Sequence, residues 1–342
     1  MSEKRLILHL GTPKTGTTSL QNVLVAEEDA LAGAGLRYVK TCRAAINHNR
    51  LVMQLSKGGS TADRVTRRLR REIGGAQEPS ILISTEIGYG IRPTQMLFTA
   101  LGDWAGSAEI IVYVRRQDLL LEAMAKQKLK SGHYRGSLEA FIATRRRGGN
   151  YMTYIREVQR RIPGVRITCR PYDRGTLLDG DVITDFWEFL GLSGLPRAEG
   201  LSDPVNVTPC RELAIALSEQ DFATPQHRRK VISAIQAARP DLFKSKDILT
   251  AQERRALQEG YREENRALGA FCGHDLEALF NDDVDYEAES RPIKDPAERE
   301  AVLQAAKAAV HDMAERLRPE AAEAAVGPAD DQTEVRDEDE TA

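Results

Sequence analysis

Short apolar runs alternate with amphipathic stretches through the first half of the chain. Leu6–Leu10, Ile81–Ser84 and Ile110–Val114 are nearly unbroken runs of Leu, Ile and Val. Such runs suit strands buried on both faces of a parallel sheet. Leu36–Val39 and Val165–Cys169 predict two further strands. Between them the spacing turns helical: Ser19 to about Ala32, Asn49–Leu55, Ala62–Ile73, Asp118–Lys130 closed by Ser131-Gly132, and Asn150–Arg161. This alternation predicts an α/β fold, a three-layer parallel β-sheet sandwiched by helices. Ile183, Phe186, Trp187 and Leu190 recur at helical spacing before Gly191 and mark a core face.

The C-terminal part is predicted to be mostly helical: Pro209–Gln220, Pro225–Ala238, Thr250–Leu268 and a last helix, Pro296–Leu317. That helix carries Val302, Ala306, Ala309, Val310, Met313 and Leu317 and follows Pro292 and Pro296. It either packs back on the body or makes a homo-oligomer contact with a second copy. The expected organisation is a body over 1–280, a linker over 281–296, an appended helix over 297–318 and an acidic disordered tail over 319–342.

Charge sharpens this division. Residues 321–342 hold eight carboxylates and one arginine, leaving the preceding chain at net +4 within a total of −3. A mildly basic body suits an anionic ligand but is too weakly charged to argue for nucleic acid. No apolar run approaches the ~20 residues that span a bilayer, so no stable membrane insertion is expected. Met1–Arg5 lead directly into the first strand, which predicts a cytoplasmic protein. The four cysteines and six histidines show no metal-ligand spacing, and no metal is expected.

The first strand runs into Gly11-Thr12-Pro13-Lys14-Thr15-Gly16-Thr17-Thr18-Ser19-Leu20. A glycine-framed loop that opens a helix aims backbone N–H groups and a helix dipole at one small anion. A nucleoside-triphosphate P-loop reads G-x-x-x-x-G-K-[ST]. Here Gly11 and Gly16 keep the glycine step, but Thr17 and Thr18 stand where Lys and Ser/Thr belong, and the lysine lies inside the loop at position 14.

The string Pro13-Lys14-Thr15-Gly16-Thr17-Thr18-Ser19-Leu20 resembles the 5′-phosphosulfate loop of sulfotransferases that use 3′-phosphoadenylyl sulfate (PAPS). Tyr113-Val114-Arg115-Arg116-Gln117-Asp118, with Gln127 and Lys130-Ser131-Gly132 downstream, is similar to that family's 3′-phosphate segment. The similarity extends through Val165–Arg174 to Asp185-Phe186, covering roughly residues 5–275. It implies a P-loop-NTPase-like fold, PAPS as sulfuryl donor, and cofactor contacts from Thr12, Pro13, Lys14, Thr15, Gly16, Thr17, Thr18, Arg115 and Arg116. The family usually places a serine eight positions after its arginine, whereas this chain has Ala123 or Met124 there. A missing neutral hydrogen bond costs only about 1 kcal/mol.

Sulfuryl transfer needs donors for charge developing on the leaving oxygen and a base for the acceptor proton. Lys14 is the expected donor. Glu86, in Ser84-Thr85-Glu86, is the expected base by similarity to glycan sulfotransferases, and His48 is its competitor by similarity to small-molecule sulfotransferases. His9 is read as packed. The basic string Arg145–Arg147 is read chiefly as a solvated loop, with an anion contact as the alternative. The implied acceptor is the hydroxyl of a small molecule or glycan, a carbohydrate or glycolipid being the class in view. Two other readings stand beside this one: a P-loop kinase or NTPase, against which the displaced lysine argues, and a non-catalytic binding protein on the same scaffold.

Overall fold

The five apolar runs become five strands of one all-parallel sheet: β1 (Arg5–Leu10), β2 (Leu36–Tyr38), β3 (Ser80–Thr85), β4 (Ala108–Val114) and β5 (Arg166–Pro171), in the order β2-β3-β1-β4-β5. The computed structural model describes residues 4–131, 134, 137–195, 208–244, 246–293 and 295–319. β1 lies between β3 and β4, with Leu8 opposite Ile83 on one side and Ile110 on the other. The chain fills one side of β1 first and then crosses to the other. The loops after β1 and β4 therefore flank the point where strand order reverses, the usual ligand crevice of an open parallel sheet.

Helices α1 (Thr17–Ala26), α2 (Glu28–Gly33), α3 (Asn49–Ser56), α4 (Gly59–Gly75), α5 (Ile91–Leu101), α6 (Gln117–Ser131), α7 (Leu138–Thr144), α8 (Tyr151–Arg161) and α9 (Val182–Leu190) follow in chain order. One sheet face buries Leu6, Leu8, Leu10, Ile81, Ile83 and Val112 with side chains of α3, α4, α5 and α8. The other buries Ile7, Leu82, Ile111 and Tyr113 with Leu20, Val23 and Leu24 of α1 and Phe186 and Trp187 of α9. This is the three-layer parallel sandwich expected from the strand runs, and the Ile183–Leu190 set is core as read. Asp181 starts α9 by accepting from the N–H groups of Ile183 and Thr184, and Gly191 ends it at φ 74°.

The C-terminal part is helical: α10 (Arg211–Glu219), α11 (Pro225–Ala238), α12 (Ala251–Glu259), α13 (Arg262–Cys272), α14 (Tyr286–Glu289) and α15 (Pro296–Arg316). Two expected helices are each divided. Ser19–Ala32 breaks at Glu27, which lets α2 turn Leu31 into the core. Thr250–Leu268 breaks at Gly260-Tyr261, where the Tyr261 ring turns inward and its hydroxyl donates to the Arg146 carbonyl.

The last helix packs back on the body. Ala306, Val310 and Ala314 are buried against Leu213 and Leu217 of α10 and Val231 and Ile235 of α11. The apolar stripe considered for a second copy is thus used within the chain, where small residues allow close approach. The segment expected as a linker is anchored too, because Tyr286 is buried and Glu289 pairs with Arg116 and Lys246. The acidic tail expected beyond residue 319 lies outside the described residues. No described helix is long and apolar enough to cross a membrane.

Candidate functional site

The loop between β1 and α1 is held by its own short side chains. The Gly11 N–H donates to the Thr85 carbonyl at 3.0 Å, and the Thr15 hydroxyl donates to the Thr12 carbonyl at 2.8 Å. The Thr12 hydroxyl reaches across to the Tyr113 carbonyl of β4. Lys14 and Gly16 both adopt left-handed backbone, at φ 66° and 72°. At Gly16 a Cβ would also sit 2.9 Å from Val182 Cγ1, and at Gly11 it would meet the Thr17 methyl at 2.4 Å. The two glycines therefore let the loop fold back over the helix start. No side chain caps α1, so the dipole end of that helix faces the crevice, beside exposed Thr18.

Three cationic side chains converge on this loop. Arg115, at the end of β4, donates from Nη1 to the Lys14 carbonyl at 2.9 Å, with its guanidinium 5.9 Å from the Tyr172 ring centroid. Its backbone is pinned by Tyr151, whose hydroxyl donates to the Arg115 carbonyl at 2.8 Å. Lys130, near the end of α6, is close enough to act on Lys14 electrostatically. Desolvation in the crevice and then the Lys130 charge lower the Lys14 pKa, with Glu86 opposing them and Arg115 adding to them. Burial lowers Lys130 and Arg115 as well. Neither Lys14 nor Lys130 has a carboxylate within ion-pair distance among the described residues. Lys130 stands outside the site residues that the sequence implies. Its place in the crevice depends on the direction of α6, which spacing alone does not fix.

Glu86 stands on the opposite flank, just past the end of β3. Its backbone N–H donates to Asn49 Oδ1 at 3.0 Å, and the Thr85 hydroxyl donates to the same oxygen at 2.9 Å. Its carboxylate accepts from the Thr17 hydroxyl on the first turn of α1. Lys14, Thr17 and Glu86 thus form one cluster, with Arg115 and Lys130 at its other edge. Pro13 sits half-buried at the loop crown.

Two expected site residues belong elsewhere. His48 is fully buried: Nε2 lies 2.7 Å from the Val39 carbonyl and Nδ1 lies 3.2 Å from the Ser84 N–H. Its neutral ring donates to one and accepts from the other, tying the loop after β2 to β3. Burial pulls its pKa down to about 4, so it has no free nitrogen with which to act as a base. Arg116 is the second correction. It forms a bidentate pair with Asp118 and also meets Glu289, while fully buried Arg254 bridges Asp118 and Glu122. Its Nε and Nη2 are committed to these carboxylates, so the structure uses it as an internal ion-pair partner rather than as the expected phosphate contact. His9 is packed as read, with Nδ1 2.8 Å from Ser84 Oγ and its ring near Phe186. Arg145–Arg147 form an exposed turn. Ser131 and Gly132 add nothing here, since the Ser131 side chain and Gly132 lie outside what is described.

Cys210, Glu212 and Asp247 bring potential metal-ligand atoms within 4.8 Å of one another. Asp247 is already paired with Lys126 and accepts from the Arg211 N–H, and Cys210 caps α10 through the Leu213 N–H. Two of the three groups are thus engaged in holding the start of α10.

No protein-family model matches the chain. A curated relative, an uncharacterized protein of Archaeoglobus fulgidus, is 30% identical over 165 residues, which is 47% of this chain and 45% of that protein. The chain thus matches less than half the length of this relative.

Proposed function

We propose that the protein is a sulfotransferase that moves a sulfuryl group from PAPS to an acceptor hydroxyl. The observation that carries this reading is the convergence of Lys14, Lys130 and Arg115 on an uncapped helix start, with Glu86 as the opposing carboxylate. Three like charges in one partly desolvated crevice repel one another until an anion enters. A mono- or diphosphate fits such a cradle, which supports the donor class implied by the loop.

The residues divide into roles by position. The backbone of Thr15–Thr18 and the Lys14 ammonium would hold the 5′ side, and Arg115 and Lys130 the 3′ side. When bound, PAPS supplies an activated sulfuryl group. Lys14 would stabilise charge developing between donor and acceptor, as preorganised donors do elsewhere. Glu86 would take the acceptor proton, its orientation fixed by Thr17 and by the Asn49 hold on its backbone. Arg115 also braces the Lys14 carbonyl, so it both shapes the loop and lines the crevice.

Thermal shift with 3′,5′-diphosphoadenosine in the absence of Mg²⁺, beside ATP with Mg²⁺, tests the donor class. Stabilisation by the first alone is expected, and stabilisation by ATP with Mg²⁺ alone would assign the crevice to a kinase or NTPase. Transfer of labelled sulfate from PAPS to an acceptor panel then separates an enzyme from a binding protein.

A further inference from the structure

A basic cavity lies past the C-terminal end of β2. It measures about 320 Å³ and is lined by Lys40, Cys42, Arg43, Arg50, Arg64 and Arg68. The cations come from three separate pieces of chain: the loop after β2, the first turn of α3, and one face of α4, where Arg64 and Arg68 are a turn apart.

Two carboxylates that meet this lining, Glu28 and Glu72, are already committed. Glu28 pairs with both Lys40 and Arg43. Glu72 spends its oxygens on the Lys40 and Thr41 N–H groups and on the Thr41 hydroxyl. Arg50, Arg64 and Arg68 have no carboxylate within ion-pair distance among the described residues. Arg43 Nη1 is buried with no hydrogen-bond partner. Five cations against one shared pair of acids leave an electropositive hollow with unused donors.

Its place in the fold indicates what it is for. Strand order puts Arg115 and Lys130, which follow β4, on one side of the Lys14 loop. β3 and β2 lie on the other, with β2 two strands or roughly 10 Å from β1. Lys40, Cys42 and Arg43 follow the C-terminal end of β2, which places the cavity lining on that second side. Asn49, which holds the Glu86 backbone, is the neighbour in sequence of Arg50, which lines the cavity.

We propose that this cavity binds an oxyanion of the acceptor, a carboxylate or sulfate ester, while the hydroxyl to be modified lies at Glu86. The acceptor class is therefore acidic. The assignment as an acceptor site rests on the sulfotransferase reading, whereas the anion site itself stands on the cavity alone.

The test is direct titration of the full chain, without nucleotide, using three probes: a hyaluronan tetrasaccharide, a chondroitin sulfate tetrasaccharide and neutral cellotetraose. Arg64→Ala/Arg68→Ala is compared with wild type and with Arg160→Ala/Arg161→Ala, a control of equal charge change at two exposed positions in the last turn of α8. At least one acidic probe is expected to bind wild type and control alike, and the cavity variant roughly tenfold or more weakly. Cellotetraose is expected to bind more weakly than either acidic probe. Both acidic probes carry uronic carboxylates and only the chondroitin probe adds a sulfate ester, so tighter binding of that probe assigns the sulfate ester, and equal or tighter binding of hyaluronan assigns the carboxylate. Equal binding by wild type and cavity variant, equal weakening in the control, or no binding of either acidic probe overturns the proposal. Diphosphoadenosine binding, measured separately on the same variants, reports the PAPS reading independently. If it is absent while the acidic probes still distinguish the variants, the anion cavity stands and the sulfotransferase reading falls.

Discussion

The Thr17 hydroxyl donates to the Glu86 carboxylate, joining the first turn of α1 to the chain just past β3. This bond couples the two halves of the proposed chemistry, because Thr17 belongs to the proposed anion loop and Glu86 is the proposed base. Glu86→Gln keeps an oxygen that can accept from Thr17 but removes the basic group. It is expected to leave the thermal midpoint nearly unchanged while sulfate transfer falls by ~10²–10⁴. Thr17→Val is expected to behave differently, losing about 1 kcal/mol of stability and weakening diphosphoadenosine binding. If Glu86→Gln retains full turnover, Glu86 is not the base.

Lys14 sits in repulsion with Lys130 and Arg115. Lys14→Met removes one of the three charges. Without ligand, the variant is expected to melt at the same temperature as wild type or higher. With diphosphoadenosine it should gain less stability than wild type does, and turnover should fall by roughly 10²–10³. Thermal shift with and without nucleotide, beside a transfer assay, checks all three outcomes.

Arg254 is wholly buried between Asp118 and Glu122, and Arg116 completes the pair with Asp118. Burial would raise the Asp118 pKa, but the two guanidiniums hold it below the ordinary aspartate value. Arg254→Met leaves Asp118 with Arg116 alone and takes the close cation from Glu122, which keeps only Lys126 at 3.7 Å. The expected cost is about 3–5 kcal/mol, the range for breaking a buried pair from one side. The network also fixes the turn that presents Arg115, so the variant should lose nucleotide affinity along with stability. Chemical denaturation measures the first effect and calorimetric titration the second.

The sheet was legible because strands buried on both faces leave unbroken apolar runs, as at Leu6–Leu10 and Ile110–Val114. The turn between β1 and α1 was legible because Gly11 and Gly16 are demanded by local geometry that spacing records. His48 was not, since its partners are backbone atoms of Val39 and Ser84, and a backbone partner leaves no mark on residue identity. Arg116 was misplaced for a related reason. Its pairing with Asp118 is local, but the burial that makes this pairing structural comes from α12 and α14, far along the chain. The breaks at Glu27 and Gly260-Tyr261 were hidden because helical periodicity continues across them.

Two buried histidines make stability depend on pH in a definite direction. Burial lowers both His9 and His48 from 6.5 to about 4. Between those values the unfolded chain takes up protons that the folded chain refuses, so unfolding is favoured as pH falls. The stabilising contribution is complete above about pH 6.5, declines through the window below it, and is gone once pH passes below about 4. Each ring contributes on the order of 3 kcal/mol across that span. Urea midpoints measured at pH 7.5, 5.5 and 4.5 should therefore fall steadily. His48→Gln cannot take up a proton in either state. It is expected to be less stable than wild type at pH 7.5, through weakened contacts to Val39 and Ser84, yet to lose only about half as much between pH 6.5 and 4.5. A variant whose midpoint falls as steeply as wild type would show that the acid sensitivity arises at other groups.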